Sequence, residues 1–210
     1  RDYLQVDNPM VLWLVPSTAI LDQTLKALRN REHPYHAALA ETFGRNVSVL
    51  TVSDALALSR PDATGGAWII VGTIQSFRVD DTSGRKGYQD AGALMDHFSG
   101  LAPEQADRLE KVEDSSRPVA SLANVLRLHR PMVIVDEAHN ARTRLSFETL
   151  KRFDPSMILE LTATPQLDKD LDKGLYPSNV LFHVSAAELK AEEMIKLPIR
   201  LNTDTDWQKV

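Results

Sequence analysis

Asp136 and Glu137 stand side by side at the end of the apolar run Met132-Val133-Ile134-Val135, and Ala138 and His139 follow them. An apolar strand that delivers carboxylates at its carboxyl end places them where open α/β sheets bind ligands. Two adjacent acids can divide labour around a nucleotide. Asp136 can hold Mg²⁺, directly or through water, while Glu137 polarises an attacking water. An Asp-Glu pair alone is more often two solvated acids opening a loop. The four residues Asp-Glu-Ala-His, directly after a strand-sized apolar run, point to function. A second group, Thr162-Ala163-Thr164-Pro165, closes the run Met157-Ile158-Leu159-Glu160-Leu161. Hydroxyls on such a turn can hydrogen-bond carboxylates on a neighbouring strand. By itself it is a common turn, and its pairing with the acid motif makes it specific.

These groups need elements to hold them. Besides the two runs above, Met10–Val15 and Ala67–Val71 are uninterrupted apolar segments, and Val47-Ser48-Val49-Leu50 reads as a fifth strand. Continuous β-branched runs of this length predict strands buried on both faces of a parallel sheet. Between them Leu21, Leu25 and Leu28 share one helical face, with Ser17 as N-cap. Val119, Leu122, Ala123 and Leu126 form another stripe, with Pro118 suited to its first turn. Leu145–Phe153 reads as a further helix. Strands alternating with helices give right-handed βαβ units, hence a doubly wound, mostly parallel α/β sheet. Residues 80–117 interrupt the rhythm and read as an insertion on the sheet's rim, with a short helix at Gly92–Phe98 and a solvated charged tract at 104–117. Asn179–Val184 reads as a strand, and Ser185 to Glu188 as a capping box. Residues 201–210 are a polar tail.

Composition narrows the classes. The 210 residues are 43% hydrophobic and 25% charged, which is ordinary for a globular chain. There is no cysteine, which excludes disulfides, cysteine zinc sites and thiol nucleophiles and agrees with a cytoplasmic protein. A net charge of -5 excludes a strongly basic nucleic-acid module but not local phosphate contacts. No apolar run approaches a membrane span. His33, His36, His97, His129 and His183 show no ligand spacing and read as surface or cap residues; Trp13 and Trp68 read as core. The opening Arg1-Asp2-Tyr3-Leu4 carries neither Met nor signal pattern, and the expectation is an excised fragment or a chain with further residues upstream.

The Asp136-Glu137-Ala138-His139 box and Thr162-Ala163-Thr164 resemble motifs II and III of superfamily 2 helicases and translocases of the DEAH-box kind. Leu14-Val15-Pro16-Ser17, through Ile20-Leu21-Asp22-Gln23-Thr24, resembles motif Ia, and Val71 to Phe77 resembles the motif Ib region. Within the superfamily, Val184–Glu192 and Met194–Pro198 resemble the segment after motif III in type III restriction enzyme Res subunits. The resemblance implies a RecA-like, P-loop NTPase type fold, with ATP and Mg²⁺ as cofactors. It implies that Asp136 serves the metal, that Glu137 is the catalytic base, and that His139 links the ATP site to the partner domain or to motif III. Thr162, Ala163 and Thr164 would couple hydrolysis to strand movement. Pro16, Ser17, Thr18, Gln23, Thr73 and Gln75 would line the nucleic-acid path, largely through backbone amides at helix starts.

The departures matter too. No Gly-x-x-x-x-Gly-Lys-Ser/Thr occurs in the sequence, so the phosphate-cradling loop would lie upstream of Arg1. No arginine-bearing motif of a second lobe and no nuclease motif is recognisable. Residues 1–200 are therefore expected to be a first RecA-like helicase lobe, incomplete at its N-terminus and inactive alone. In the full protein it would act with a second lobe, DNA, and a methyltransferase or specificity subunit, without a membrane. The alternatives are an RNA helicase or remodelling motor of the same superfamily, or a degenerate RecA-like scaffold.

Overall fold

The computed structural model describes residues 8–44, 46–60, 66–77, 86–138, 144–165 and 179–193. Strands β1 (Met10–Val15), β2 (Val47–Thr51), β3 (Ala67–Thr73), β4 (Met132–Asp136) and β5 (Met157–Leu161) form one parallel sheet in the order β2-β3-β1-β4-β5. The expected RecA-like α/β architecture is present, and β3 extends past its apolar run to carry Gly72 and Thr73. Register brings the strand ends level: Val15 lies opposite Thr73, Leu14 opposite Val135, and Asp136 opposite Leu161.

The described helices divide between two apolar clusters on the sheet, the division that right-handed crossovers in this strand order require. From β1 the chain moves towards the β2 edge through α1 (Thr18–Arg29) and α2 (Pro34–Phe43). Leu25 and Leu28 of α1 pack there with Val15, Ile69 and Val71, and Trp13 lies against them. The later steps run the other way across the opposite face, through α3 (Val52–Ala55), α5 (Leu122–His129) and α6 (Arg144–Arg152). Leu12, Leu14, Ile70 and Val133 are there buried against Leu122, Val125, Leu126 and Leu150. Each such aliphatic side chain contributes roughly 1.5–3 kcal/mol relative to exposure. Ser17 caps α1 as expected, its Oγ accepting the Ile20 N–H at 3.4 Å. At the far end, the Arg29 guanidinium donates to the Val49 carbonyl at 3.0 Å and meets Asp54 at 3.1 Å.

The stripe at 119–126 starts later than its periodicity suggests. Ser121, not a residue near Pro118, caps α5 by accepting from the Asn124 N–H, and Pro118 pairs instead with Lys111 in an isolated antiparallel bridge. The insertion is also more than a rim loop. It carries a 3-10 helix at Gly92–Phe98, as expected, and α4 (Pro103–Asp107), yet it sends Tyr88, Leu94, His97 and Leu109 into buried positions. Asn124 pins it, donating to the Glu110 and Val119 carbonyls, both at 2.8 Å, and accepting the Glu110 N–H at 2.9 Å. His97, read as a surface residue, is 1% exposed because one ring nitrogen bonds the Leu58 carbonyl at 2.9 Å and its ring meets Trp68 edge-on.

The edge strand β5 departs from the buried-on-both-faces expectation, with Met157, Ile158 and Leu161 each more than a third exposed. Residues Ser178–Val210 form a second unit. Within it Asn179–Val184 is not a strand. No ladder partner is present among the described residues, and Leu181 and Phe182 are 79% and 85% exposed. The expected capping box does form on α7 (Ala186–Ala191), where Ser185 and Glu188 bond each other's backbone N–H. The tail 201–210 lies outside the described residues. No described helix is long and apolar enough to cross a membrane.

Candidate functional site

The carboxyl ends of β1, β3 and β4 open onto one pocket of about 270 Å³. Its apolar floor is Leu14, Val15, Ile74 and Val135; Pro16, Gln75, Asp136 and Glu137 form the rest of the wall. Ligand crevices in doubly wound sheets lie at this end of the strands, where the loops diverge. The site is thus a product of register. Because Val15, Thr73 and the end of β4 are level, the residues that follow each strand meet.

Local chemistry shapes the acidic wall. The half-buried Asp136 turns one carboxylate oxygen back to accept the Glu137 N–H at 3.0 Å. Glu137 then takes the left-handed backbone conformation at φ 49°, a region non-glycine residues visit at a cost of about 1–3 kcal/mol. The reversal drives Ala138 into the core, where it is 1% exposed, and leaves the Glu137 side chain at the exposed rim. Strain of this kind persists where packing over-determines it, and it collects at functional sites.

The donor set suits Mg²⁺ better than a metal needing a full protein cage. Among the described residues, no group of three or more His, Cys, Asp or Glu could enclose a cation. Mg²⁺ is commonly held by one or two carboxylates, with water and substrate phosphates completing its octahedron. Asp136 on the pocket wall can supply such a carboxylate.

Other candidate residues fall around this centre. Thr73 Oγ1 and Ser76 Oγ lie 3.0 Å apart and close the 3-10 turn Ile74–Ser76 that presents Gln75. Ser17 and Thr18 begin α1 just after Pro16, both exposed, whereas Gln23 is exposed further along the helix. Thr162 follows the residue opposite Asp136, and its Oγ1 accepts the Thr164 N–H at 3.2 Å; Ala163 and Thr164 are exposed. His139 lies outside the described residues. Pro16, Gln75, Asp136 and Glu137 are therefore gathered at one pocket. Ile74, which the motif reading passed over, supplies part of the floor; its signal was an apolar residue set between Thr73 and Gln75.

Residues 2–167 match the family model of the type III restriction enzyme, res subunit. The chain belongs to that family. The match takes in all five strands and ends just past the Thr162 turn, so Val184–Pro198, which resembles Res sequences, lies beyond it. Res-subunit domains of this kind are helicase-type P-loop NTPase domains, and the parallel sheet with flanking helices is the corresponding fold. The Res-type lobe is thus of the helicase-like ATPase class. A search of curated proteins finds no significant match.

Proposed function

We propose that this domain is the first motor lobe of an ATP-dependent DNA helicase or translocase in a cytoplasmic type III restriction–modification or related defence enzyme. The carrying observation is the pocket in which Asp136 and Glu137, at the end of β4, meet the turns that follow β1 and β3. Hydrolysis of ATP by an in-line water needs little covalent chemistry from a protein, so positioning and electrostatics dominate. Asp136 would hold Mg²⁺, which when bound would supply positive charge to the phosphoryl group. Glu137 takes the proton of the attacking water. His139 and the Thr162-Ala163-Thr164 turn relay the state of the site. Pro16, Ser17, Thr18, Gln23 and Thr73 border the path of the nucleic acid, with Gln75 beside them. Elsewhere in the full-length protein, a Gly-Lys-Ser/Thr loop and a second RecA-like lobe supply the remaining phosphate contacts, and a methyltransferase or specificity subunit supplies target choice.

The test is Glu137→Gln in the full-length protein. The substitution preserves size and hydrogen bonding but removes the proton acceptor. MgATP binding should persist while turnover falls about 10²–10⁴-fold. Parental turnover in this variant would remove Glu137 from the mechanism.

A further inference from the structure

We propose that Ser76 is a positioning residue of the nucleic-acid path, setting the Thr73 hydroxyl to donate its proton to a backbone phosphate; this rests on the helicase or translocase reading above. Nothing in the motif resemblance singles out Ser76. The structure pairs it with Thr73, their hydroxyl oxygens lying 3.0 Å apart.

Thr73 stands at the N-cap position of the turn Ile74–Ser76, in extended backbone at φ -94° and ψ 151°. A threonine there ordinarily turns its oxygen back onto an N–H of the residues that follow. Thr73 makes no such bond, and its hydroxyl meets Ser76 instead. Among the described residues, neither hydroxyl has another hydrogen-bond partner. Both residues are half-buried, and Thr73 lies opposite Val15, the residue that leads into Pro16 and Ser17. The turn is held from both ends. Ile74 is 4% exposed, Phe77 is fully buried, and the Phe77 N–H donates to the Ile74 carbonyl at 3.1 Å.

Counting protons fixes the direction of the hydroxyl pair. A phosphodiester is ionised near neutral pH, so its oxygens only accept hydrogen bonds, and each hydroxyl has one proton to give. If Thr73 gives its proton to phosphate, it has none left for Ser76. The 3.0 Å contact then requires Ser76 to donate to Thr73. Ser76 is thus the donor behind Thr73, and each bond in such a chain polarises the next. Without the Ser76 hydroxyl, the Thr73 oxygen is free to turn onto the backbone N–H groups as an ordinary cap.

The test is a double-mutant cycle in the full-length protein, read by the anisotropy of a fluorescein-labelled, single-stranded oligothymidylate. Thr73→Val keeps the shape but removes the donor, and should weaken binding about 3- to 10-fold. Ser76→Ala should weaken it by about as much, whereas Ser76→Thr, which keeps a hydroxyl, should stay within about twofold of the parent. In the Thr73→Val background, Ser76→Ala should change affinity by less than about twofold, because the group it positions is gone. The dependence of affinity on salt should keep the parent's slope, since no charge is removed. Thermal midpoints equal to the parent's would show that each variant folds. A serine that only closed the turn would lower the midpoint and act independently of Thr73. Losses that multiply in the double variant, or parental binding by Ser76→Ala, overturn the role of Ser76 alone. Parental binding by Thr73→Val overturns the nucleic-acid reading of Thr73 first, and the role of Ser76 with it.

Discussion

Asp136 and Leu161 face each other as the last matched pair of β4 and β5. The chain therefore leaves β5 into the Thr162 turn at the level where it leaves β4 into Glu137. Two loops that start together at one sheet edge can exchange hydrogen bonds when either moves, and the Thr162–Thr164 bond gives the turn a fixed shape to exchange.

Coupling through that turn is separable from hydrolysis. Replacing Thr162 and Thr164 together by alanine in the full-length protein removes hydroxyls but no charge and no metal ligand. ATPase activity should survive at a substantial fraction, and translocation or strand displacement should fall much further. The quantity to compare is ATP consumed per base pair moved. An unchanged ratio would reduce the two threonines to shaping a turn.

Asn124 gives a sharper prediction about stability. It is 1% exposed, and its amide satisfies the Glu110 N–H and the carbonyls of Glu110 and Val119. Asn124→Leu is close in size but leaves the Glu110 N–H without a partner, at about 1–3 kcal/mol, and removes one bond each from the Glu110 and Val119 carbonyls, which keep the Val119 and Ser121 N–H donors. Allowing for relaxation, the loss should be about 3 kcal/mol, a drop in Tm of roughly 6–12 °C for a chain of this length. Urea denaturation of the purified chain reads it directly. A loss below about 1 kcal/mol would mean that solvent reaches the insertion's base.

The parts legible in the sequence were those fixed by short-range pattern. Apolar runs such as Met10–Val15 and Met132–Val135 give strands because a parallel sheet covered on both faces needs no alternation. Ser17 and Ser185 were readable as caps because their partners, Ile20 and Glu188, lie three residues away. What escaped depends on distant partners. His97 is buried through a carbonyl 39 residues away, and Asn124 organises an insertion 14 residues before it. Neither distance leaves a local signature. Asn179–Val184 has strand composition, but a strand exists only against an edge, and none is paired with it among the described residues. The acid motif was legible as chemistry; that Gln75 shares its pocket was not, since it follows from the register of β1, β3 and β4.

Buried His97 should make the stability of the chain pH-dependent. Burial lowers its pKa first, and Arg60 pushes the same way, while the Leu58 carbonyl and Asp96 partly oppose them. The His129 ring, edge-on at 5.7 Å, is itself pushed down to about 4, first by loss of solvent around the ring and then by His97 and Arg60, although the residue as a whole is exposed. In the unfolded chain both rings regain a value near 6.5. Between about pH 6.5 and 4 the unfolded state thus binds more protons than the folded one, so stability must fall as pH falls. It is fully present above about 6.5 and erodes below. His97→Gln keeps an N–H for the Leu58 carbonyl but cannot titrate. The variant should start somewhat less stable at pH 7 yet lose less between pH 7 and 5 than the parent. Asp54 and Asp90, whose pKa values are lowered by hydrogen bonds to the Thr51 backbone and Arg117 respectively, add an acid loss common to both proteins that cancels in the difference. Parallel urea midpoints against pH for parent and variant would show that His97 does not titrate on unfolding; converging midpoints at low pH would show that it does.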